Sequence, residues 1–416
     1  MGGVHGCTLW SRRRPLSLTG LDQREERERM GRLEVSSVRV DASPGRGGYR
    51  RRQWLNGCLA LVFLAGCTDS SPSVKEPEQP TVAQEVAPSA SSDAPLAAGV
   101  DDLVAGGSEK YGNVRAVLVA QHGKTLVERY YQSQPAERRT VFSVTKSVVA
   151  TLVGIAEAEG LLRLDQTLAE LLPKQRAGMA PGVAAITLEQ LLTMTAGFND
   201  STVFASTENP VEYVLRQGID PQLQGSFTYS DASAHLVAAV LTEVTGQSLL
   251  AYARSRLFDP IGVDTRPAET PVVRGLKAPT YRGKSFAWPT DAQGVHYGAS
   301  MLRLTANELL KLGQLYLDAG RYADKQVLPA TWVENATTPH ARANKHTSYG
   351  YLWWIFEVAH QAGYAALGYG GQLIAVLPED DVVIVATSDM ATARHPFLVD
   401  SADLATELMA VVGSLP

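Results

Sequence analysis

The chain has 416 residues, of which 45% are hydrophobic, and its formal net charge is −5 at pH 7. This length is sufficient for one large globular domain or two smaller ones. The first 66 residues carry twelve Arg, no Lys and six acidic residues, so the remainder carries about −11, and so acidic a chain is a poor candidate for nucleic-acid binding.

The N-terminal segment has the features of a bacterial export signal. Arg50-Arg51-Arg52 is followed by an apolar run from Leu55 to Leu64, which is too short to span a bilayer comfortably and is typical of a signal-peptide core. The run ends in Leu64-Ala65-Gly66-Cys67, which resembles the bacterial lipobox, where Cys67 would be lipidated and become the new N-terminus. A short buried helix with an incidental cysteine is the alternative interpretation.

The order of these segments predicts three parts of the chain. We expect residues 1–66 to comprise a mis-started N-terminus and the lipoprotein signal peptide. Residues 67–98 begin with the lipidated cysteine and continue as a Ser-, Pro-, Ala- and Glu-rich segment, which predicts a disordered linker. Residues 99–416 are expected to form the folded domain.

Two further expectations concern the ends of the exported protein. Fifty residues before a signal peptide are unusual, so we expect the true start codon downstream of Met1, near Met30 or Val40. The lipid would anchor the protein in the bacterial cell envelope, on the periplasmic or extracellular face of a membrane. Thr68 after the cysteine favours the outer membrane if the bacterium is Gram-negative.

No cofactor or metal is expected. Cys7 and Cys58 both precede Cys67, so the exported part has no other cysteine, which excludes a disulfide framework, a cysteine nucleophile and a thiolate metal site. Its histidines are scattered without metal-ligand spacing, and no Gly-rich phosphate loop is present.

Hydrophobic periodicity predicts strands at both ends of the folded domain and helices between them. Two strands, Asn113–Gln121 and Lys124–Tyr131, are joined by a hairpin turn. Helices are predicted over Ser143–Glu159, Ile186–Met194, Ala232–Thr245, Ser248–Leu257 and Thr305–Ala319. Four strands follow over Tyr351–Val358, Tyr364–Gly368, Leu373–Leu377 and Val382–Ser388, and a helix over Ala402–Val412 closes the chain. This order suits an antiparallel sheet built from both ends of the domain around an inserted, mostly helical subdomain.

Ser143-Val144-Thr145-Lys146 stands where an extended stretch turns into a predicted helix. On that helix Lys146 would lie one turn after Ser143 on the same face, which places an amine beside a hydroxyl. We expect the apolar setting to make the amine easier to deprotonate, so that it can take the hydroxyl proton. Because Ser-x-x-Lys fixes only two residues, the alternative is an N-capping serine followed by a surface lysine.

Two later segments could complete a site with this pair. Tyr229-Ser230-Asp231 lies on a loop just before a helix, and a nearby ammonium would lower the pKa of the Tyr229 phenol; a core tyrosine with Asp231 as N-cap is the alternative. Gly368-Tyr369-Gly370-Gly371-Gln372 opens a strand, where glycines let a substrate approach and a backbone N–H could meet an oxyanion. A tight hairpin or bulge is the alternative for this segment.

The three motifs in this order resemble those of the serine β-lactamase and penicillin-binding-protein-like family, on its class C and esterase side. The wider segments Val141–Ser147, Ile186–Gly197 and Phe227–Asp231 are also similar, and the resemblance covers about residues 100–416. It is closest to the family's carboxylesterases and 6-aminohexanoate-dimer hydrolases. It implies an α+β fold of the β-lactamase/transpeptidase type, with an antiparallel sheet flanked by N- and C-terminal helices.

The same resemblance implies roles for individual residues. Ser143 resembles the acylated nucleophile, Lys146 the partner that helps remove its proton, and Tyr229 the tyrosine that shuttles protons to the leaving group and activates water. The backbone N–H groups of Ser143 and Gln372 would form the oxyanion hole. The implied substrate-binding residues are Asp231, Tyr369, Gly370 and Gly371.

Two departures from the family pattern bear on the substrate. β-Lactamases place a Lys or His where this chain has Tyr369, and that cation helps to hold the substrate carboxylate. Asp231 adds a negative charge where many members have Asn. Both changes disfavour a carboxylate-bearing substrate, so we expect a neutral ester or linear amide and weak or absent β-lactamase activity.

Other functions remain as alternatives to this interpretation. An α/β-hydrolase would need a Gly-x-Ser-x-Gly elbow, which the exported part lacks. A D-alanyl-D-alanine peptidase would need a cation for the terminal carboxylate, against which Tyr369 argues. A non-catalytic module of the same fold, binding cell wall or a partner protein, is the alternative from a different class.

Overall fold

The computed structural model describes residues 94–106, 109–199, 202–275, 285–358, 361–391 and 398–413. The predictions for the signal peptide, for Cys67 and for most of the linker lie outside the described residues. Helix α1 (Ala94–Ala105) begins inside the predicted linker and buries Leu96, Val100 and Val104. Residues 94–98 are therefore helical rather than part of a linker, because these apolar residues are spaced for one face of a helix.

The centre of the fold is an eight-stranded antiparallel sheet. Its strands, numbered in chain order, are β1 (Val114–Gln121), β2 (Lys124–Tyr130), β9 (Ala341–Arg342), β10 (Thr347–Tyr349), β11 (Trp354–Val358), β12 (Gln361–Gly368), β13 (Gln372–Leu377) and β14 (Val382–Ser388). They are ordered β2-β1-β14-β13-β12-β11-β10-β9. The N-terminal strand β1 thus pairs with the C-terminal strand β14, which confirms the prediction of a sheet built from both ends of the domain.

The remaining elements lie mostly between β2 and β9 in the chain. The helices are α2 (Val144–Ala158), α3 (Leu168–Leu171), α4 (Leu188–Leu192), α5 (Pro210–Gln217), α6 (Asp231–Thr245), α7 (Leu249–Ala253), α8 (Ala306–Leu317), α9 (Ala330–Ala336) and α10 (Ser401–Val412). A small sheet contains β3 (Arg139–Thr140), β4 (Ala268–Glu269), β5 (Phe286–Ala287) and β6 (Arg303–Leu304), and β7 (Arg321–Tyr322) pairs with β8 (Lys325–Gln326). The architecture is the predicted α+β arrangement with a mostly helical insertion.

Helices cover both faces of the large sheet. Along β1, Ala116 and Leu118 join the core formed with α2, α6 and α8, whereas Val117 and Val119 join a second core formed with α1 and α10. The same alternation holds along β13 and β14, because successive strand residues point to opposite faces. Burial on both faces explains why these strands are almost continuously apolar.

Most predicted element boundaries agree with the structure to within a few residues, and the differences have local causes. Thr187 caps α4 and forms a capping box with Gln190, which sets the start of this helix two residues after the predicted Ile186. The helix predicted from Ser248 is α-helical only to Ala253 and continues as a π-helical turn, Arg254–Phe258. Gly246 separates it from α6 with a left-handed backbone, as its position between the two helices predicts.

No single helix in the described ranges is long and apolar enough to cross a membrane. One bent pair, α6 with Leu249–Phe258, passes the test jointly by length and composition, with a bend of 77°.

An ion-pair cluster ties the strand before Ser143 to the sheet. Asp389 accepts hydrogen bonds from Arg115 at 2.6 Å and from Arg139 at 2.8 Å, and both arginine side chains are 9% exposed. Burial raises the pKa of Asp389, but the two arginines more than offset this effect and hold the pKa below its ordinary value. Arg139 belongs to β3, four residues before Ser143, so the cluster fixes where the chain enters the site.

We expect Asp389→Asn to lower the free energy of unfolding at pH 7 by about 1–2 kcal/mol, because it removes the carboxylate that two buried arginines share. The value is below that of a fully buried pair because the Asp389 side chain is 40% exposed. The lowered pKa stabilises the fold above the ordinary aspartate pKa, and this contribution disappears as the pH falls through the folded-state pKa. Urea unfolding should therefore show a difference between wild type and variant that shrinks in acid.

The control for this measurement is Asp165→Asn, which removes the ion-pair partner of Arg163. The side chains of Asp165 and Arg163 are 76% and 66% exposed. It should change stability by less than about 0.5 kcal/mol. Equal effects of the two substitutions would contradict a structural role for the Asp389 cluster.

Candidate active site

Ser143 immediately precedes α2, with its side chain partly exposed. Its backbone is helical (φ −67°, ψ −8°), and its hydroxyl makes no capping hydrogen bond to the helix. The alternative of an ordinary N-capping serine is therefore wrong. Phe142, just before it, has a left-handed backbone with φ 45°, a conformation that costs a non-glycine residue about 1–3 kcal/mol and is typical of functional turns.

Lys146 is the central side chain of the site, and only 1% of it is exposed. Its Nζ donates to Ser143 Oγ at 3.0 Å, to Asp231 Oδ1 at 2.5 Å and to the carbonyl oxygen of Ala299 at 2.9 Å. All three donors of an ammonium are thus used. The acceptors come from α2, from the first residue of α6 and from the segment that leads into β6, so this one group joins three parts of the chain.

The sequence-based expectation that Lys146 is easily deprotonated is wrong. Burial lowers the pKa of Lys146, but the Asp231 carboxylate, together with Tyr229, more than offsets burial and holds the pKa above its ordinary value. The surroundings of Lys146 are not purely apolar, because they contain the partly exposed carboxylate of Asp231. In the resting site, Lys146 is an ammonium that donates to the Ser143 hydroxyl.

Tyr229 lies where the second motif predicts it, beside Lys146. The Lys146 Nζ is 4.8 Å from the centroid of the Tyr229 ring. Ser230, not Asp231, caps α6, because Ser230 Oγ accepts from the N–H of Ser233 at 2.9 Å. Asp231 is thereby left to bind Lys146, and the alternative of Asp231 as a plain N-cap is wrong.

The protonation of Tyr229 also differs from the expectation. Burial raises its pKa, and although Lys146 and hydrogen bonding with Ser143 act in the opposite direction, the pKa stays above its ordinary value. At neutral pH the site therefore holds a charged Lys146 and a neutral Tyr229.

Aromatic rings position Tyr229 from the side of the sheet. Trp354, at the start of β11, stacks on Tyr229 with a centroid distance of 5.7 Å and an interplanar angle of 17°, and Tyr349 meets it edge-on at 6.2 Å. Phe227 packs against both Trp354 and Tyr349. Sequence patterning did not identify this cluster. Phe227 and Tyr229 lie on the loop before α6, far in sequence from the consecutive strands β10 and β11, which carry Tyr349 and Trp354.

The third motif forms the turn between β12 and β13. Tyr369, Gly370 and Gly371 make this turn, and both glycines have left-handed φ angles, 77° and 85°. The hairpin that the sequence analysis left as an alternative is therefore present. The turn also lies beside the site, because the rings of Tyr369 and Phe142 meet edge-on at 5.7 Å.

Gln372 does not fit its predicted place in an oxyanion hole. It lies on β13, between β12 and β14, is fully buried, and pairs with Gly368. A substrate could reach its N–H only by separating paired strands. Its side chain is occupied within the sheet, where its Nε2 donates to the carbonyl oxygens of Gly370 at 3.2 Å and Ser388 at 2.9 Å.

The last residues of β12 offer an alternative edge. β11 pairs with β12 only as far as Ala365, whereas β12 continues to Gly368 and there pairs with β13 alone. Gly368 approaches the chain before Ser143 so closely that a Cβ at this position would lie 2.3 Å from the carbonyl oxygen of Val141. The unpaired edge over residues 366–368 thus ends next to the serine. In the described parts of the chain, no group of three or more His, Cys, Asp or Glu side chains is placed to hold a metal ion.

Comparison with known proteins agrees with this fold. The family model described as "Beta-lactamase" matches residues 100–405. A 6-aminohexanoate-dimer hydrolase of Paenarthrobacter ureafaciens is 24% identical over 305 residues, which cover 66% of this chain and 72% of that protein. A teichoic acid D-alanine hydrolase of Staphylococcus aureus is 24% identical over 215 residues, which cover 47% of this chain and 52% of that protein. The chain spans about half the length of some of the curated relatives it matches.

A solved structure gives the same result for the fold. The crystal structure of a β-lactamase from Sulfitobacter sp. EE-36 superposes with a TM-score of 0.60 at 18% identity, covering 78% of this chain and 99% of that one. The fold is therefore the β-lactamase/transpeptidase-like fold of serine hydrolases. The chain belongs to the β-lactamase family.

We expect Asp231→Asn to change the pH dependence of Ser143 reactivity. The substitution removes the carboxylate that raises the pKa of Lys146, while the burial that lowers this pKa remains. Labelling of Ser143 by a neutral phosphonate ester should still accelerate with pH beyond about pH 9 in the wild type, because the deprotonated form of Lys146 is a minority at that pH. In the variant the rate should reach its plateau at lower pH.

Asp231→Glu is the matched control, since it keeps the negative charge and should keep the wild-type profile. Labelling rates measured across the alkaline range for the three proteins decide the question. Superimposable profiles for wild type and Asp231→Asn would show that Asp231 does not control the protonation of Lys146.

Proposed function

We propose that this protein hydrolyses a neutral ester or a linear amide through an acyl-enzyme on Ser143. One observation carries the proposal. The partly exposed hydroxyl of Ser143, which makes no capping hydrogen bond to α2, lies 3.0 Å from the buried Nζ of Lys146 and beside the ring of Tyr229. This is the arrangement of nucleophile and proton-transfer groups that covalent catalysis requires. It also argues against a non-catalytic binding module, which needs none of these groups to be brought together.

In the proposed reaction, Ser143 Oγ attacks the carbonyl carbon and its proton passes to the Lys146–Tyr229 pair. The pair must first have lost one proton, because Lys146 is charged and Tyr229 neutral in the resting site. The bond to the leaving group breaks, and the leaving group departs with the proton from the pair. The pair then takes a proton from water, whose oxygen attacks the acyl carbon, and it returns that proton to Ser143 Oγ as the bond between Ser143 and the acyl carbon breaks. Each step moves one proton, and the full cycle restores both Ser143 and the pair.

The developing oxyanion needs donors near Ser143. The N-terminus of α2 provides the N–H of Ser143 and a favourable helix dipole. In place of Gln372, we propose the backbone at the end of β12, residues 367–369, because Gly368 lies against Val141 and the strand edge there extends beyond β11.

Three features support a substrate without a carboxylate at this end of the site. The motif turn carries the Tyr369 phenol and two glycines instead of a cation. The Asp231 carboxylate, with its side chain 20% exposed, would repel a second carboxylate. The aromatic cluster around Trp354 places apolar side chains, and no cation, next to Tyr229. An ester-linked D-alanine is a second candidate, favoured by the same carboxylate, which would attract its ammonium, and by the similarity to a teichoic acid D-alanine hydrolase.

A hydrolysis screen tests the proposal. The panel contains p-nitrophenyl esters of increasing acyl length, a D-alanyl ester, a linear 6-aminohexanoyl amide, a D-alanyl-D-alanine peptide and a chromogenic cephalosporin. We expect an ester or the linear amide to be the best substrate, and Ser143→Ala to reduce its kcat/KM by at least about 1,000-fold. Ser255→Ala, which removes an exposed hydroxyl on a distant helix, is the control and should retain activity.

Two outcomes would contradict separate parts of this proposal. Undiminished hydrolysis by Ser143→Ala would remove the nucleophile assignment. Cephalosporin turnover at the rate of the best ester would overturn the substrate assignment while leaving the acyl-enzyme in place.

We further propose that the enzyme acts outside the cytoplasm, on a lipid anchor at Cys67. The support is the order of basic, apolar and small residues before this cysteine. Expressed with its natural leader in a bacterium fed an alkyne fatty acid, the wild type should be labelled and sediment with membranes. Cys67→Ser should lose both properties and Cys58→Ser should keep them, whereas equal labelling of all three proteins would exclude Cys67 as the lipidated residue.

A further inference from the structure

The turn between β12 and β13 contains a hydroxyl from the C-terminal helix. Ser401 Oγ accepts a hydrogen bond from the N–H of Gly371 at 3.0 Å and donates one to the carbonyl oxygen of Gly368. In an ordinary β-turn these two backbone groups, on residues i+3 and i, bond to each other directly. Here the hydroxyl of Ser401 is inserted between them, so a side chain distant in sequence is part of the turn.

Two more side chains hold the same turn from the sheet. Ser388 Oγ donates to the carbonyl oxygen of Gly371 at 3.1 Å, and Gln372 Nε2 donates to that of Gly370 at 3.2 Å. Ser388 and Gln372 are 3% and 0% exposed. We call Ser401, Ser388 and Gln372 the turn brace. It supplies a side-chain partner to three of the four carbonyl groups of residues 368–371.

The sequence around Ser401 leaves its hydroxyl available for this task. Asp400 caps α10, its Oδ1 accepting from the N–H groups of Ala402 at 2.9 Å and Asp403 at 3.0 Å. The first helical residue, Ser401, is therefore not needed for the cap. Its side chain connects α10, on one face of the sheet, to the turn at the end of β12.

The braced turn touches the two residues that immediately precede Ser143. Gly368 lies against the carbonyl of Val141, two residues before Ser143, and the Tyr369 ring lies against Phe142, one residue before it. Close packing leaves no room for the turn to shift without moving Val141 or Phe142. The position of the turn thus sets the distance between the β12 edge and Ser143.

We propose that Ser401 is a positioning residue for the hydrolysis reaction, fixing the end of β12 relative to Ser143 so that backbone N–H groups of both meet the oxyanion. This inference rests on the proposed function. It adds the C-terminal helix to the elements that determine the rate, although Ser401 itself does not reach the substrate.

Kinetics of three variants test the role of Ser401. Ser401→Ala should lower kcat for the best ester by about 10- to 100-fold with KM changed less than about threefold, since a small displacement of the donors affects the transition state more than binding. Ser401→Thr retains a hydroxyl and should recover most of the rate. Thr406→Ala removes a hydroxyl of the same helix that bonds only to its own backbone, at the carbonyl of Ala402, and should leave kcat unchanged.

A second measurement is independent of catalysis. Amide hydrogen exchange of peptides covering residues 366–377, followed by mass spectrometry, should be faster in Ser401→Ala than in wild type and unchanged in Ser401→Thr and Thr406→Ala. Thermal unfolding of Ser401→Ala and Thr406→Ala should be similar, which separates displacement of the turn from a general loss of stability.

The outcomes distinguish this inference from the proposed function. If the wild type hydrolyses an ester and Ser401→Ala keeps its kcat, or if exchange of the turn is unaffected, the inference is overturned and the proposed function stands. If the wild type hydrolyses nothing on the panel, the proposed function fails. Exchange then still decides whether Ser401 holds the turn.

Discussion

The buried ammonium of Lys146 is the constraint on which the site depends. A charge removed from water is costly unless every donor finds an acceptor, and a nearly fully buried lysine therefore dictates the positions of its partners. Those partners are the Ser143 hydroxyl, the Asp231 carboxylate and the Ala299 carbonyl, which belong to three separate parts of the helical region. Satisfying one group thus fixes the relative positions of α2, α6 and the segment before β6.

The same constraint shapes the chemistry. A lysine held as an ammonium by a carboxylate polarises the serine and stabilises negative charge, but it is a poor base until it loses a proton. Tyr229, kept neutral by burial between Lys146 and Trp354, shares that limitation. Reactivity therefore depends on the protonation of a coupled group of side chains rather than on that of any one of them.

Much of the fold could be predicted from periodicity, because both terminal strand pairs and the long helices bury regular apolar faces. The start of α1 was missed because its alanine-rich sequence resembles the linker composition before it. The short strands β3 to β10 were also missed, because strands of two or three residues carry no period and form only where tertiary contacts supply a partner.

The candidate site could also be predicted from the sequence only in part. The structure brings together Ser143, Lys146, Tyr229 and Asp231, which local motifs had identified because each lies at or just before the start of a helix with clear signals. The protonation of Lys146 and the placement of Gln372 depend on three-dimensional neighbours, the Asp231 carboxylate in one case and strand pairing in the other. Neither neighbour is encoded within reach of a motif, and the same holds for the Ser401 hydroxyl.

The two-sided sheet also determines how the molecule could be held at a surface. Helix α1, through which the chain enters the domain, packs on the face opposite α2, at whose N-terminus Ser143 lies. An attachment made before Ala94, whether a lipid or an engineered immobilisation tag, would therefore join the molecule on the sheet face opposite α2. For a molecule attached in that way, substrates would reach the serine from solution or from a neighbouring layer more readily than from the surface of attachment.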